Sequence, residues 1–126
     1  MFAKKPTNKW RGADKKSVWG PRHWHFLHQV AACYVENYDA KHADEKKRTY
    51  DFFKYHYHGI MPCSVCRRAY TEYINMHEIK LHQALASGSV SLQAFVYDLH
   101  DHVNKKLGKT TSVSFQEVLK AYNCYD

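Results

Sequence analysis

From Gly20 to Tyr122 apolar residues return every three or four positions, the period of helices with one buried face. Trp24, Leu27, Ala31 and Val35 mark a first helix over roughly residues 20 to 37, with Pro21 in its first turn, where a missing N–H costs nothing. A second helix is predicted from about Asp44 to His56, with Tyr50, Phe53 and Tyr57 on one stripe and Gly59 ending it. Pro62 opens a third, which carries Cys63, Cys66, Tyr70, Tyr73, Ile74 and His77 at helical spacing. After a turn over Ala86 to Ser89, a fourth helix runs from about Val90 to Leu107, burying Leu92, Phe95, Val96, Leu99 and Val103, and Gly108 closes it. Ser114 and Glu117 form a capping box before a short fifth helix that ends near Tyr122. No segment alternates as a strand does. The pattern predicts an all-α bundle.

A chain of 126 residues fits one domain with a true apolar core, so cysteine staples are not needed merely to hold it together. The net charge of +7 changes little. Residues 1–16 hold six basic side chains against Asp14, so five of the seven positive charges sit in a basic arm, and the domain over 17–126 is nearly neutral. A solvated arm is expected rather than a nucleic-acid surface. No apolar run suggests a secretory or membrane segment, so the expectation is a protein kept in a reducing compartment, away from membranes. There, a CxxC points to metal binding or catalysis more than to structure.

Cys63-Ser-Val-Cys66 is the most informative tetrapeptide. Two residues between cysteines on a helical first turn bring the sulfurs within bonding reach. The helix N-terminus, with Arg67 and Arg68 close by, stabilises a thiolate, the attacking species in disulfide exchange. Zinc would need two further ligands; Cys33 and Cys124 stand alone, and the ten histidines lack zinc-finger spacing. A structural bridge across so short a loop would stabilise little. Redox use is the favoured reading, and no metal site is expected.

A dithiol alone reduces oxygen poorly, so a cofactor is required. No GxGxxG or Walker loop is present. Instead Trp24, His28, Ala31 and Tyr34 fall within one arc of the first helix, and His100, Val103, Asn104 and Leu107 within one face of the fourth. A planar aromatic ligand could lie between these faces.

With these residues the sequence resembles the Erv/ALR family of FAD-dependent sulfhydryl oxidases. The matching elements are Trp19-Gly20-Pro21-Arg22-His23-Trp24 with Leu27-His28, Asp44 to Lys47 leading to Asp51-Phe52-Phe53, Met61-Pro62-Cys63-Ser64-Val65-Cys66, and His100 to Lys109. The Gly-x-x-x-Trp-x-x-x-His, CxxC and His-x-x-Val-Asn-x-x-Leu set is specific in combination. The resemblance implies a four-helix bundle plus a short fifth helix enclosing FAD. It implies that Cys66 is the flavin-proximal cysteine and Cys63 the interchange thiol. It implies a cofactor site of Gly20, Arg22, Trp24, His28, Tyr34, Cys66, His100, Val103 and Asn104, with Lys106 and Lys109 near the adenosine diphosphate portion. Dithiol protein substrates, O₂ as acceptor, H₂O₂ as product and a homodimer follow as expectations. So does a host-cytoplasmic or virion location, with the mitochondrial intermembrane space as alternative. The competing readings are a zinc- or nucleic-acid-binding module and an FAD-containing scaffold without oxidase activity.

Two departures from the family pattern stand out. Asp101 replaces the usual Asn after the histidine. Many members also carry a disulfide between the positions held here by Tyr97 and Ser114, so that bridge is absent. Tyr97 is expected to face the cofactor instead. Cys33 and Cys124 are expected to be free thiols, with a bridge between them or an intersubunit role as alternatives.

Overall fold

The computed structural model describes residues 16–124, with side chains from Gly20 onward. The basic arm expected over residues 1–16 lies outside them, save for the backbone of Lys16. The regular elements among the described residues are all helices, with no strand among them: α1 Lys16–Ala32, α2 Ala43–Asp51, α3 Ser64–Met76, α4 Glu78–Ser87, α5 Ser89–Lys106 and α6 Phe115–Ala121. The all-α expectation holds, with one helix more than the hydrophobic pattern marks. α4 fills residues 78–85, to which that pattern assigns nothing, and runs on through Ala86 and Ser87, so the predicted turn over Ala86 to Ser89 shrinks to Gly88 between two helices. His77 bends the chain there (φ −121°), and α4 buries Leu81, Ala84 and Leu85.

α1 starts earlier and stops earlier than predicted. It begins at Lys16, so Pro21 lies inside the helix rather than in its first turn, and forfeits a backbone bond there. It ends at Ala32, and the chain beyond it turns to lie against the α4–α5 junction, where Ser89 N–H donates to Val35 O at 2.7 Å. Gly88 permits this approach: its φ is +143°, and a Cβ there would stand 2.1 Å from Glu36 O.

The predicted second helix also changes its winding. After Asp51 one π turn covers Phe52–His56 and a 3₁₀ turn covers Tyr57–Ile60. Tyr57 N–H reaches five residues back to Phe52 O, while Phe53 O accepts from the buried Tyr70 hydroxyl at 2.9 Å. The wider turn keeps Phe53 and Tyr57 both buried.

α5 is the central element, packed against α1, α3 and α4, and it carries α6 at its far end. Leu92, Val96, Leu99 and Val103 of α5 meet Leu27, Ala31, Tyr70, Ile74 and Leu85 in one continuous core. α5 closes at Gly108, φ +74°, where Lys109 N–H donates to Asn104 O at 2.8 Å and turns the chain sharply back toward α1 and α6.

Candidate functional site

A cavity of about 430 Å³ opens between α1, α5, α6 and the first turn of α3. Such a volume suits a small-molecule or cofactor site. Trp24 forms one wall, with its indole stacked on His100 at 4.0 Å and 10°. His28 Nε2 lies 3.3 Å from His100 Nδ1, and His23 packs beside Trp24 at 4.4 Å. Tyr57's hydroxyl meets His23 Nδ1 at 2.8 Å from behind.

Burial holds these imidazoles in the neutral form. His23 and His28 are lowered to about 4 and His100 to about 3, first by desolvation and then by neighbouring imidazoles. His28 Nδ1 is buried without a hydrogen-bond partner. An orphaned polar atom beside stacked rings is what a flat heteroaromatic guest with hydrogen-bonding edges would satisfy.

Cys66 lines this cavity, whereas Cys63 does not. Cys63 is the N-cap of α3, and its Sγ accepts from Cys66 N–H at 3.2 Å. The cysteine at the helix terminus is thus held where a thiolate is stabilised by backbone N–H and helix dipole. Arg67 reaches back to Met61 O at 2.8 Å and braces the turn that presents the pair.

Of the residues expected to bind cofactor, Gly20, Trp24, His28, Cys66, Tyr97, His100, Asn104 and Lys109 line the cavity together. Four others stand elsewhere. Tyr34 is buried with its hydroxyl donating to Leu85 O at 2.7 Å, because α1 has ended before it. Val103 is in the core, Lys106 pairs with Glu72 at 3.3 Å, and Arg22 is exposed on α1.

The sequence pattern passes over several lining residues: His23 and His25 of α1, Thr111 of the α5–α6 loop, and Tyr122 just past α6. Asp101, the unusual residue after His100, accepts the Thr111 hydroxyl at 2.7 Å, and Thr111 in turn accepts from Asn104 at 3.1 Å. The Thr111 hydrogen bond, then Lys105, lowers the Asp101 carboxyl below its ordinary value. The acidic replacement thus fastens the loop that roofs the cavity.

The expectation of free thiols at Cys33 and Cys124 is overturned. They form a disulfide, with Cα atoms 4.8 Å apart. Remoteness in sequence hid the pairing: α6 returns along α5 and brings its end beside the end of α1. Among the described residues no group of three or more His, Cys, Asp or Glu could hold a metal ion, and no helix is long and apolar enough to cross a membrane.

Similarity to known proteins agrees with this geometry. Over 103 residues, 82% of this chain and 67% of the relative, the sequence is 31% identical to a protein of Acanthamoeba polyphaga mimivirus named probable FAD-linked sulfhydryl oxidase R368. The sequence model of the Erv1 / Alr family matches residues 21–123, from α1 through the end of the described fold. With Cys66 of its CxxC pair lining an aromatic cavity, the chain belongs to the Erv1 / Alr family.

Proposed function

We propose that this protein is an FAD-dependent sulfhydryl oxidase that forms disulfides in dithiol substrates through Cys63 and Cys66 and delivers the electrons to O₂. The observation that carries the reading is that Cys66 alone of the pair lines the cavity. The residues present fit FAD. Trp24, His28 and His100 offer stacked faces, the orphaned His28 Nδ1 offers a polar contact, and Lys109 stands at the rim with charge for a diphosphate. When bound, FAD supplies the two-electron acceptor that passes electrons to oxygen, chemistry no side chain provides.

The chain's own part is thiol exchange. A substrate thiolate attacks Cys63 Sγ of the oxidised pair, breaking the Cys63–Cys66 bond and leaving Cys66 as thiolate. The substrate's second thiol then attacks the mixed disulfide and releases Cys63, so the substrate loses two electrons and two protons and the pair gains them. Cys66 N–H, donating to Cys63 Sγ, favours that sulfur as leaving thiolate. The aromatic walls exclude water from the Cys66 side. Electrons returned to oxygen regenerate the pair and yield H₂O₂.

Pairing of two copies belongs to the same proposal. α1 and the π turn expose Phe26 and Tyr55, both more than half accessible, as apolar surface for such contact. The viral relative supports a host-cytoplasmic or virion location.

The purified protein should be yellow and consume oxygen with dithiothreitol. Cys66→Ser should abolish turnover while keeping the flavin colour. A colourless protein that carries stoichiometric zinc would overturn this function and favour the zinc-module reading.

A further inference from the structure

α6 and the residue after it form part of the cavity wall. Val118 and Ala121 contribute from the helix, and Tyr122 follows at its end. Tyr122 stacks on His28 at 5.1 Å and 25°, and its hydroxyl hydrogen-bonds His25 Nδ1. The aromatic lining of α1 thus continues onto a residue that lies outside any helix.

α6 has seven residues and two turns, too few to fix its far end without tertiary contacts. Its near end is held by α5. Its far end is held by α1 through a compact set of contacts centred on the Cys33–Cys124 bridge. Gln29 Nε2 donates to Asn123 O at 2.7 Å and approaches Cys33 Sγ at 3.3 Å. Cys124 stands two residues after Tyr122, and Cys33 one helical turn after Gln29. The bridge, the glutamine bond and the Tyr122 stack therefore form one patch that joins the covalent link to the cavity wall.

We propose that the Cys33–Cys124 disulfide is a positioning device for the cofactor site: it pins the chain after α6 to α1 and so holds Tyr122 as a cofactor-facing aromatic wall. The inference rests on FAD occupying this cavity, as proposed above. A staple elsewhere would act on the unfolded chain alone and leave ligand affinity unchanged. Here the link closes 91 residues of sequence but acts locally on one ring. Both cysteines are exposed, so the sulfur atoms themselves contribute little to the core, and the geometry they impose on Tyr122 is what the cavity feels.

Three variants of the full chain test this, each measured for FAD affinity and dissociation by flavin fluorescence and for melting with and without FAD. Cys33→Ser/Cys124→Ser removes the link. Tyr122→Leu keeps the link and removes the ring. Insertion of two glycines between Tyr122 and Asn123 keeps the covalent closure and frees the ring from it. Each should bind FAD about tenfold more weakly, the worth of a well-placed aromatic stack. The glycine insertion should do so while retaining most of the melting temperature of the FAD-free protein. Should the double serine variant fail to fold, the insertion and Tyr122→Leu still decide the matter. Unchanged FAD affinity in the insertion variant and in Tyr122→Leu would overturn the inference and leave the bridge a plain staple. A wild-type chain that takes up no FAD would overturn the functional reading instead.

Discussion

The Tyr97 hydroxyl on α5 donates to the carbonyl of Val113 at 2.5 Å, and the same ring packs edge-on against Phe115 with centroids 5.7 Å apart. One side chain thereby clasps both the end of the α5–α6 loop and the start of α6. That loop carries Thr111 and Val113 over the cavity, so the clasp sets the height of its roof. The position is the one at which a covalent bridge to Ser114 is missing. A hydrogen bond and an aromatic contact hold the segment in its place, while the Cys33–Cys124 link stands at the far end of α6.

Tyr97→Phe removes the hydroxyl and keeps the ring, so it should cost about 1 kcal/mol, or about 4 °C in melting temperature. Tyr97→Ala should cost more, since the Phe115 contact goes too. Differential scanning calorimetry of the FAD-free protein checks both. Equal stability of the wild type and Tyr97→Phe would show that the clasp is nominal.

Cys63 has a structural duty separable from its chemistry. As N-cap of α3 its sulfur accepts from Cys66 N–H. Cys63→Ser retains an acceptor with a strong capping preference, while Cys63→Ala has none, and the difference should be about 1 kcal/mol in denaturant unfolding. Both variants should lose dithiol oxidation. If the alanine variant is as stable as the serine variant, the cap contributes nothing to the helix.

What was legible in the sequence, and what was not, divides along a physical line. Helical period and the CxxC are local, and they placed Cys63 at a helix terminus and Trp24, His28, His100 and Asn104 on faces that do meet. A step of about 100° per residue puts Tyr34 on that face only while the helix continues; α1 stops at Ala32, and the Tyr34 hydroxyl donates to Leu85 O. α4 is not marked by the period because only Leu81, Ala84 and Leu85 of its ten residues are buried, while the apolar Ile79 is exposed on another face. Tyr122 and the Cys33–Cys124 bridge depend on where α6 comes to rest, a long-range outcome that no spacing encodes.

Acid should loosen the fold through the cavity histidines. Their folded values lie near 4 for His23 and His28 and near 3 for His100, against an ordinary 6.5. The unfolded chain therefore binds protons first as pH drops. The stability these neutral imidazoles support is complete above 6.5 and declines as pH falls toward their folded values. Melting of the FAD-free protein should fall by more than about 4 °C between neutral pH and pH of about 5. In His28→Asn and His100→Asn the slope over that window should shrink, since each removes one group that titrates differently in the two states. A slope identical to wild type in both variants would place the acid sensitivity elsewhere.

Gly88 is the point at which backbone geometry, rather than side-chain chemistry, holds the α1 end against α5. Its φ of +143° lies outside the range that L side chains adopt readily, and a methyl group would meet Glu36 O at 2.1 Å and Glu36 C at 2.9 Å. Both obstacles are main-chain atoms, so no rotamer change can relieve them. The adjacent bond from Ser89 N–H to Val35 O, 2.7 Å long, would have to open for the chain to move away. Gly88→Ala should therefore lose more than about 2 kcal/mol, beyond the usual effect of a surface substitution. Because the displaced segment begins at Cys33, the same variant should also bind FAD less tightly. Gly88→Ala with wild-type melting would mean that the segment from Val35 to Glu36 can shift freely, and that the close approach is not a constraint on the fold.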